Sequence, residues 1–117
     1  MRHLKKGTKF NRLRGDRISF LRNLANDMIR AGHIETTEAR AKAVRPIVEK
    51  LITIAKQKDL AGRRLIASRV QNPRITKKLC DDLGPRYADR KGGFIRITKL
   101  QTVRKRDGVK IARVEFV

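Results

Sequence analysis

The side chains best able to do chemistry in this sequence are cations, and they form three clusters. The first is at the N-terminus, where residues 1–22 hold eight Lys or Arg and one acidic residue. The second lies in residues 86–96, and the third is the run at residues 104–106. Side chains of this kind bind phosphates and release condensed counterions as they do so. The candidate RNA-binding residues are Arg2, His3, Lys5, Lys6, Lys9, Arg12, Arg14, Arg17, Arg22, Arg86, Tyr87, Arg90, Lys91, Arg96, Arg104, Lys105 and Arg106.

Two aromatic residues accompany the second cluster. Tyr87 and Phe94 could stack on an unpaired base, as single-stranded RNA recognition often requires. Gly92 and Gly93 would permit a close backbone approach there. The alternative, which we favour, is that the Tyr87 ring packs beneath the fourth predicted helix with its hydroxyl at the surface. For Phe94, which opens a predicted strand, a core position is favoured more strongly still.

No residue pattern in the sequence indicates catalysis. The acidic pairs Glu35/Glu38 and Asp81/Asp82 suit a helix start and a solvated helix end. One Cys and two His give no zinc-ligand spacing, and the sequence has no glycine-rich phosphate loop. Cys80 is expected to be a small core residue. We therefore expect neither an enzyme nor a cofactor, metal or small-molecule substrate.

Size and charge narrow the class of protein further. The chain has 117 residues, enough for one domain, and a net charge of +20 with a pI near 11.5. It contains no apolar run near the roughly 18 residues that a membrane span needs, so no membrane partner is expected. The basic N-terminus is followed by no apolar stretch, unlike a secretory signal. The sequence predicts a protein of a reducing compartment with an anionic partner.

The chain divides into a basic arm and one folded domain. Residues 1–15 have few apolar side chains and no period that would give a packing face, so an extended arm is expected there. Residues 16–117 are expected to form a single RNA-binding domain. Its first helix is predicted to start at Asp16, as N-cap, and to stop at Gly32. A short strand is expected over residues 33–37.

Three more helices and a hairpin are predicted after that strand. A cap at Thr36 or Thr37 starts a helix that Pro46 should kink or end. Further helices are expected from Asp59 to Val70 and from Asn72–Pro73 to a stop at Gly84–Pro85. Strands over 94–100 and 109–117 are joined by a turn at Asp107–Gly108. The predicted fold class is α+β, with about four helices packed on a small antiparallel sheet formed by this hairpin and a strand near 33–36.

The longest motifs resemble a known family. MetArgHis-x-LysLysGly at the start, ArgAsnLeuAla at 22–25, IleGluThrThr-x-AlaArgAlaLys at 34–42 and ArgPro-x-ValGluLysLeuIleThr at 45–53 are similar to the bacterial-type large-subunit ribosomal protein seventeen. Residues 84–97 match the family pattern AlaProArgTyr-x-AspArg-x-GlyGlyTyr-x-ArgIle, except for Gly84 in place of Ala and Phe94 in place of Tyr. The similarity spans essentially the whole chain.

This resemblance implies a structural protein that binds and clamps large-subunit rRNA near the exit of the nascent-chain tunnel. It also implies contacts with neighbouring ribosomal proteins and a location in the bacterial cytoplasm or in an organelle. An alternative of another class is a free, nucleoid-like DNA-binding protein. That alternative would favour a dimer and a groove-reading helix, and only Arg63, Arg64 and Arg69 form a basic stripe on a helix.

Overall fold

Four helical regions pack with a three-stranded antiparallel sheet, as the sequence predicts. The structure is a computed structural model, and it describes residues 8–117. The helices are α1 (Arg14–Ala31), α2 (Glu38–Lys56), α3 (Leu60–Val70) and α4 (Pro73–Lys78), which continues through a π-helical segment (Leu79–Leu83) into α5 (Gly84–Arg86). The strands are β1 (His33–Thr37), β2 (Ile95–Val103) and β3 (Lys110–Phe116).

Helix α1 begins earlier than predicted. Its first residue is Arg14 and its N-cap is Leu13, which makes no side-chain capping bond. Asp16 therefore lies in the first turn, where its carboxylate favours the positive end of the helix dipole, and does not act as the cap. The predicted stop is confirmed: Gly32 adopts φ of +84° and donates its N–H to the carbonyl of Met28.

Helix α2 is the central element of the domain. The hydroxyl of Thr37 caps it by accepting from the N–H of Arg40 at 3.4 Å. The helix then continues through Pro46 to Lys56, so the alternative that Pro46 ends a first segment is wrong. Pro46 lies on the exposed side of the helix, where the carbonyl that loses its partner faces water. The opposite side supplies buried residues such as Val48 to the core.

The fourth helical region passes the predicted stop. Asn72 caps it as expected, with its Oδ1 accepting from the N–H groups of Arg74 (3.0 Å) and Ile75 (3.4 Å). Gly84 and Pro85 do not end the region, because they form the first turn of α5, a position at which proline needs no N–H. Gly84 is instead a packing residue: a Cβ added to it would lie 2.8 Å from the carbonyl oxygen of Ala55 on α2.

The sheet has the strand order β1-β3-β2, with both neighbouring pairs antiparallel. Val114 of β3 stands opposite Ile34 of β1 and Ile97 of β2, and it is fully buried. The β2–β3 pairing is irregular between Lys99 and Val103. The predicted turn follows, with Gly108 in the left-handed region at φ +64°.

The core lies between α2, the other helices and the inner side of the sheet. Its largest fully buried side chains include Phe94, Met28, Ile52, Ile66 and Leu79. Phe94 immediately precedes β2, and the others come from α1, α2, α3 and the π-helical segment. One core therefore ties the hairpin to the helices and fixes where each cation cluster lies.

Candidate nucleic-acid interface

The last residues of the proposed arm are fastened to the domain. The ring of Phe10 meets Phe20 of α1 edge-on, with 5.5 Å between ring centroids. The guanidinium of Arg12 lies 4.1 Å from the Phe20 centroid, and that of Arg40 on α2 lies at 5.0 Å. The positive charge of a guanidinium is attracted to the negative face of an aromatic ring. The expectation that residues up to 15 have no face to pack is therefore wrong for Phe10 and Arg12, because Phe20 provides one.

The candidates of the N-terminal cluster fall into two groups. Arg2, His3, Lys5 and Lys6 lie outside the described residues. Lys9 and Arg14 are exposed and Arg17 is half-buried, and none of the three forms an ion pair within residues 8–117. These three side chains are available to an anionic partner.

Arg22 has a structural role that the sequence does not indicate. Its Nε donates to the carbonyl of Arg69 at 3.0 Å, and one terminal nitrogen donates to Oε1 of Gln71 at 3.2 Å. The cation thus covers the C-terminal end of α3, where the helix dipole favours positive charge. Arg22 therefore joins α1 to α3, and its guanidinium is engaged within the domain.

Both aromatic candidates of the second cluster are buried. Tyr87 is 4% exposed and Phe94 is 1% exposed, and their ring centroids lie 5.2 Å apart. The Tyr87 hydroxyl donates to the carbonyl of Val117 at 2.8 Å, so it is satisfied by the chain end instead of lying free at the surface. Because a buried ring cannot stack on a base, stacking by Tyr87 or Phe94 is wrong for this structure.

The four cations of the second cluster have different surroundings. Arg86 forms an ion pair with Asp82 at 3.4 Å, and Arg96 lies 3.9 Å from Glu115. Arg90 donates its Nε to the carbonyl of Gly92 at 3.1 Å, and its own carbonyl accepts from Lys56. Lys91 is exposed without an acidic partner in residues 8–117. The loop is therefore held in place, and Arg90 and Lys91 are its available cations.

The hairpin tip presents two available cations, not three. Arg104 donates two hydrogen bonds, of 3.2 Å and 2.7 Å, to the carboxylate of Asp107. The hydrogen bond from Arg104 is the main reason that the pKa of Asp107 is lowered, and a hydrogen bond from the N–H of Val109 lowers it further. Lys105 and Arg106 are exposed and unpaired within the described part of the chain. Of the three consecutive cations that the sequence places at residues 104–106, the acidic turn residue therefore neutralises the first.

The acidic residues of the domain are largely used by neighbouring cations. Glu38 pairs with Lys42 at 3.0 Å and with Lys99 at 3.5 Å, and the hydrogen bond from Lys42 is the main reason that its pKa is lowered. Glu49 pairs with Arg45 at 3.3 Å. Ion pairs this exposed contribute little to the free energy of unfolding. They nevertheless determine which cations have no acidic partner within residues 8–117.

Several available cations lie outside the candidate RNA-binding residues, although the sequence does single out Arg64 and Arg69 as part of a basic helical stripe. They are exposed or half-buried, and none has an acidic partner within residues 8–117: Arg40, Lys50, Arg64, Arg69, Arg74 and Lys77. Counting charge by segment hides them, because the middle of the chain is nearly balanced in sum. The signal that could have found them is the spacing of acids and bases at i, i+3 and i, i+4 on each helix.

No group of three or more His, Cys, Asp or Glu in residues 8–117 is placed to hold a metal ion. No helix there is long and apolar enough to cross a membrane. Cys80 is half-buried, and burial raises the pKa of its thiol.

Fold and surface together define a class of protein: a small, strongly basic α+β domain whose unpaired cations are spread over its loops and helices. Comparison with known sequences agrees with this class. The family described as "Ribosomal protein L17" matches residues 20–117. The chain therefore belongs to the ribosomal protein L17 family, whose members are structural proteins of the ribosome and not enzymes.

Individual relatives match the full length of the chain. A protein named "Large ribosomal subunit protein bL17" from Thermus thermophilus is 44% identical over 117 residues, which is 100% of this chain and 99% of the relative. The protein of the same name from Gemmatimonas aurantiaca is 46% identical over 100% of this chain and 98% of its own length. That from Solibacter usitatus is 48% identical over 100% of this chain and 77% of its own length.

Proposed function

We propose that this protein is a structural constituent of the large ribosomal subunit that binds and clamps large-subunit rRNA by neutralising phosphates. The observation that carries this proposal is the set of cations that have no acidic partner within residues 8–117, such as Lys9, Arg17, Lys91 and Arg106. They come from the arm, α1, the loop before β2 and the hairpin tip. Cations on separate elements can each meet a different RNA segment and reduce the repulsion between segments.

The proposed division of labour follows the chain. Residues 1–15 serve as the basic arm, although its last two residues already form the start of α1, and residues 16–117 serve as the RNA-binding domain. Contacts with neighbouring large-subunit proteins, a place near the nascent-chain tunnel exit and a location in the bacterial cytoplasm or an organelle belong to the same proposal. They rest on the family resemblance, and the net charge of +20 supports the anionic partner.

A binding experiment tests the proposal against the DNA alternative. The full chain is titrated with deproteinised bacterial large-subunit rRNA and, at the same salt concentration, with duplex DNA of mixed sequence. We expect tighter binding to the folded RNA and an affinity that falls steeply with salt. Equal or tighter binding to the duplex would overturn the proposal in favour of a DNA-binding protein.

Sedimentation of a cell extract tests the ribosomal location. The protein should travel with large subunits and should leave that fraction after ribonuclease treatment. Sedimentation as free protein before any treatment would contradict a ribosomal role.

A further inference from the structure

An apolar groove of about 430 Å³ lies between α1, α2 and α3. Aliphatic side chains from all three helices line it: Ile18, Leu21, Ala25, Ile47, Leu51 and Val70. Ala25, Leu51 and Val70 also belong to the core, whereas Ile18 is 48% exposed. A concave apolar space that remains open to water is typical of a binding surface.

The groove is open because the core supports only one half of α1. The buried residues of this helix all lie in its second half, from Ala25 to Ile29. Ile18 and Leu21 nevertheless continue the apolar stripe toward the N-terminus at helical spacings of three and four residues. Helix α3 lines the groove only with residues 68–70, at its C-terminal end, so the stripe on α1 stays partly open to water.

The charged side chains that line the groove are all cations. They are Arg22, Lys50 and Arg69, and no Asp or Glu of residues 8–117 lines the groove. Arg22 is engaged by the carbonyl of Arg69 and by Gln71. The side chains of Lys50 and Arg69 are exposed and form no ion pair within residues 8–117. Two available cations therefore lie beside an apolar surface.

RNA fits the cations better than it fits the groove. Proteins stack unpaired bases on aromatic rings or guanidinium planes, and no aromatic residue of the described chain lines this groove. A ribose-phosphate backbone carries charge and hydroxyl groups, so it has little apolar surface to bury against Ile18 and Ile47. A second copy of this chain fits less well still, because its net charge of +20 would be repelled by Lys50 and Arg69.

We propose that the groove binds an acidic, amphipathic segment of another protein, with aliphatic side chains in the groove and carboxylates on Lys50 and Arg69. Amphipathic helices bind apolar grooves through residues at i, i+3, i+4 and i+7. An apolar centre with a polar rim is the usual arrangement of a protein–protein interface. This inference goes beyond the proposed rRNA binding and does not depend on it.

The two parts of this surface have different roles in binding. Burial of the exposed part of Ile18 supplies affinity, because apolar area leaves water. The cations select a partner of negative charge and accelerate its association, and salt screens their effect. The proposed segment must therefore carry both an apolar stripe and flanking carboxylates.

Three synthetic peptides of about four helical turns test these two requirements. The first peptide has leucines at i, i+3, i+4 and i+7 and glutamates elsewhere. The second has the same composition with the leucines spread around the helix, and the third has the stripe with lysines in place of glutamates. Fluorescence anisotropy measures the binding of each labelled peptide to the full chain. We expect the first to bind about tenfold more tightly than the second, and the third not to bind.

Two pairs of variants test whether the first peptide lies in the groove. Ile18→Ser should weaken its binding about fivefold, because about half of this side chain is free to be buried. The matched control Leu60→Ser, which removes an exposed leucine outside the groove, should leave binding unchanged. Lys50→Ser should weaken binding about threefold at low salt. Lys77→Ser removes an exposed cation of α4 outside the groove, so its effect should be much smaller.

Methyl NMR of the wild type provides a readout that needs no variant. Titration with the first peptide should shift the methyl resonances of Ile18, Leu21 and Ile47 and leave those of Leu60 in place. Absence of binding by this peptide, or methyl shifts confined to other parts of the domain, would overturn the proposal.

Three further outcomes would also overturn it. Equal affinity for the first two peptides would show only non-specific attraction to a chain of net charge +20. Weaker binding of Ile18→Ser and Lys50→Ser than of their controls to deproteinised bacterial large-subunit rRNA would assign the groove to RNA. A dimer in sedimentation equilibrium that Ile18→Ser dissociates would assign it to a second copy. Failure of the wild type to bind rRNA would refute the proposed function, whereas peptide binding would still confirm the groove.

Discussion

Single acidic residues determine which cations remain available to an anionic partner. Asp107 neutralises Arg104 at the hairpin tip, and Asp82 pairs with Arg86 one helical turn away. Lys105 at the tip and Lys91 in the loop before β2 are exposed and have no acidic partner within residues 8–117. Charge clusters in the sequence therefore overstate the number of cations that are free of an acidic partner, and Arg40 and Arg74, which lie outside the clusters, are further cations with no acidic partner within residues 8–117.

Tyr87 is a core residue whose one polar atom bonds to the chain end. In Tyr87→Phe, the ring stays buried against Phe94 while the hydrogen bond to the Val117 carbonyl is lost. We expect the free energy of unfolding to fall by about 0.5–1.5 kcal/mol, measured by urea denaturation. RNA affinity should be unchanged. A loss of RNA affinity with no change in the free energy of unfolding would show instead that the Tyr87 hydroxyl contacts RNA.

At the scale of elements, the approach of α5 to α2 depends on a glycine. Gly84→Ala would place a methyl group 2.8 Å from the backbone of Ala55, so one helix must shift. We expect a loss of about 1–3 kcal/mol of stability from overpacking.

The matched control is Gly15→Ala in the first turn of α1, where an added Cβ meets nothing within 4 Å. That change should stabilise the protein by up to about 1 kcal/mol, because alanine restricts the unfolded chain and favours helix. Thermal denaturation measures both variants. Equal effects of the two substitutions would show that helix propensity, and not packing, governs Gly84.

The hairpin turn contains an ion pair between Arg104 and Asp107. The hydrogen bond from Arg104 keeps the pKa of Asp107 below its ordinary value. A lowered carboxyl pKa adds stability above the ordinary pKa of aspartate, and this stability is lost as the pH falls through the lowered value. Arg104→Ser should raise the pKa of Asp107 in a carboxyl-carbon NMR titration, whereas Arg106→Ser should shift it much less. A larger shift in Arg106→Ser than in Arg104→Ser would show that Arg106, and not Arg104, lowers the pKa of Asp107.

The sequence predicts the elements well because their signals are local. The caps at Thr37 and Asn72, the stop at Gly32 and the turn before Gly108 all follow from the chemistry of one or two residues. Phe20 as a platform for Arg12 and Gly84 as a packing residue required contacts between distant segments. The same holds for the site: the hydrogen bond from Arg22 to the carbonyl of Arg69 joins residues 47 positions apart, and no local pattern brings them together.

At the scale of the whole molecule, net charge opposes folding of the free protein. The charge of +20 is spread over a domain with principal extents of 44 × 37 × 25 Å, so like charges repel within a few Debye lengths. We expect added neutral salt to raise the melting temperature of the RNA-free protein between about 0.01 and 0.2 M, where the screening length falls from about 30 Å to under 10 Å. A melting temperature that decreases over this range would show that the ion pairs outweigh the repulsion.

Two deletions in the arm separate its contribution to RNA binding from its contribution to the stability of the domain. Deleting residues 2–9 removes the four cations Arg2, Lys5, Lys6 and Lys9 but keeps Phe10 and Arg12 on Phe20. If all four meet phosphates, the slope of log affinity against log salt should become shallower by roughly 3 to 4 units, while the melting temperature stays the same.

Deleting residues 2–14 is the matched comparison. It also removes the aromatic and cation contacts with Phe20 and the start of α1, so it should lower the melting temperature as well as the salt slope. The observed loss of affinity will be smaller than the sum of contacts, because ordering an extended segment on RNA costs on the order of 1 kcal/mol per residue. Full affinity and an unchanged salt slope in the shorter deletion would show that residues 2–9 are a solvated tail. Equal melting temperatures for the two deletions would show that the Phe10–Phe20 contact does not fasten the arm to the domain.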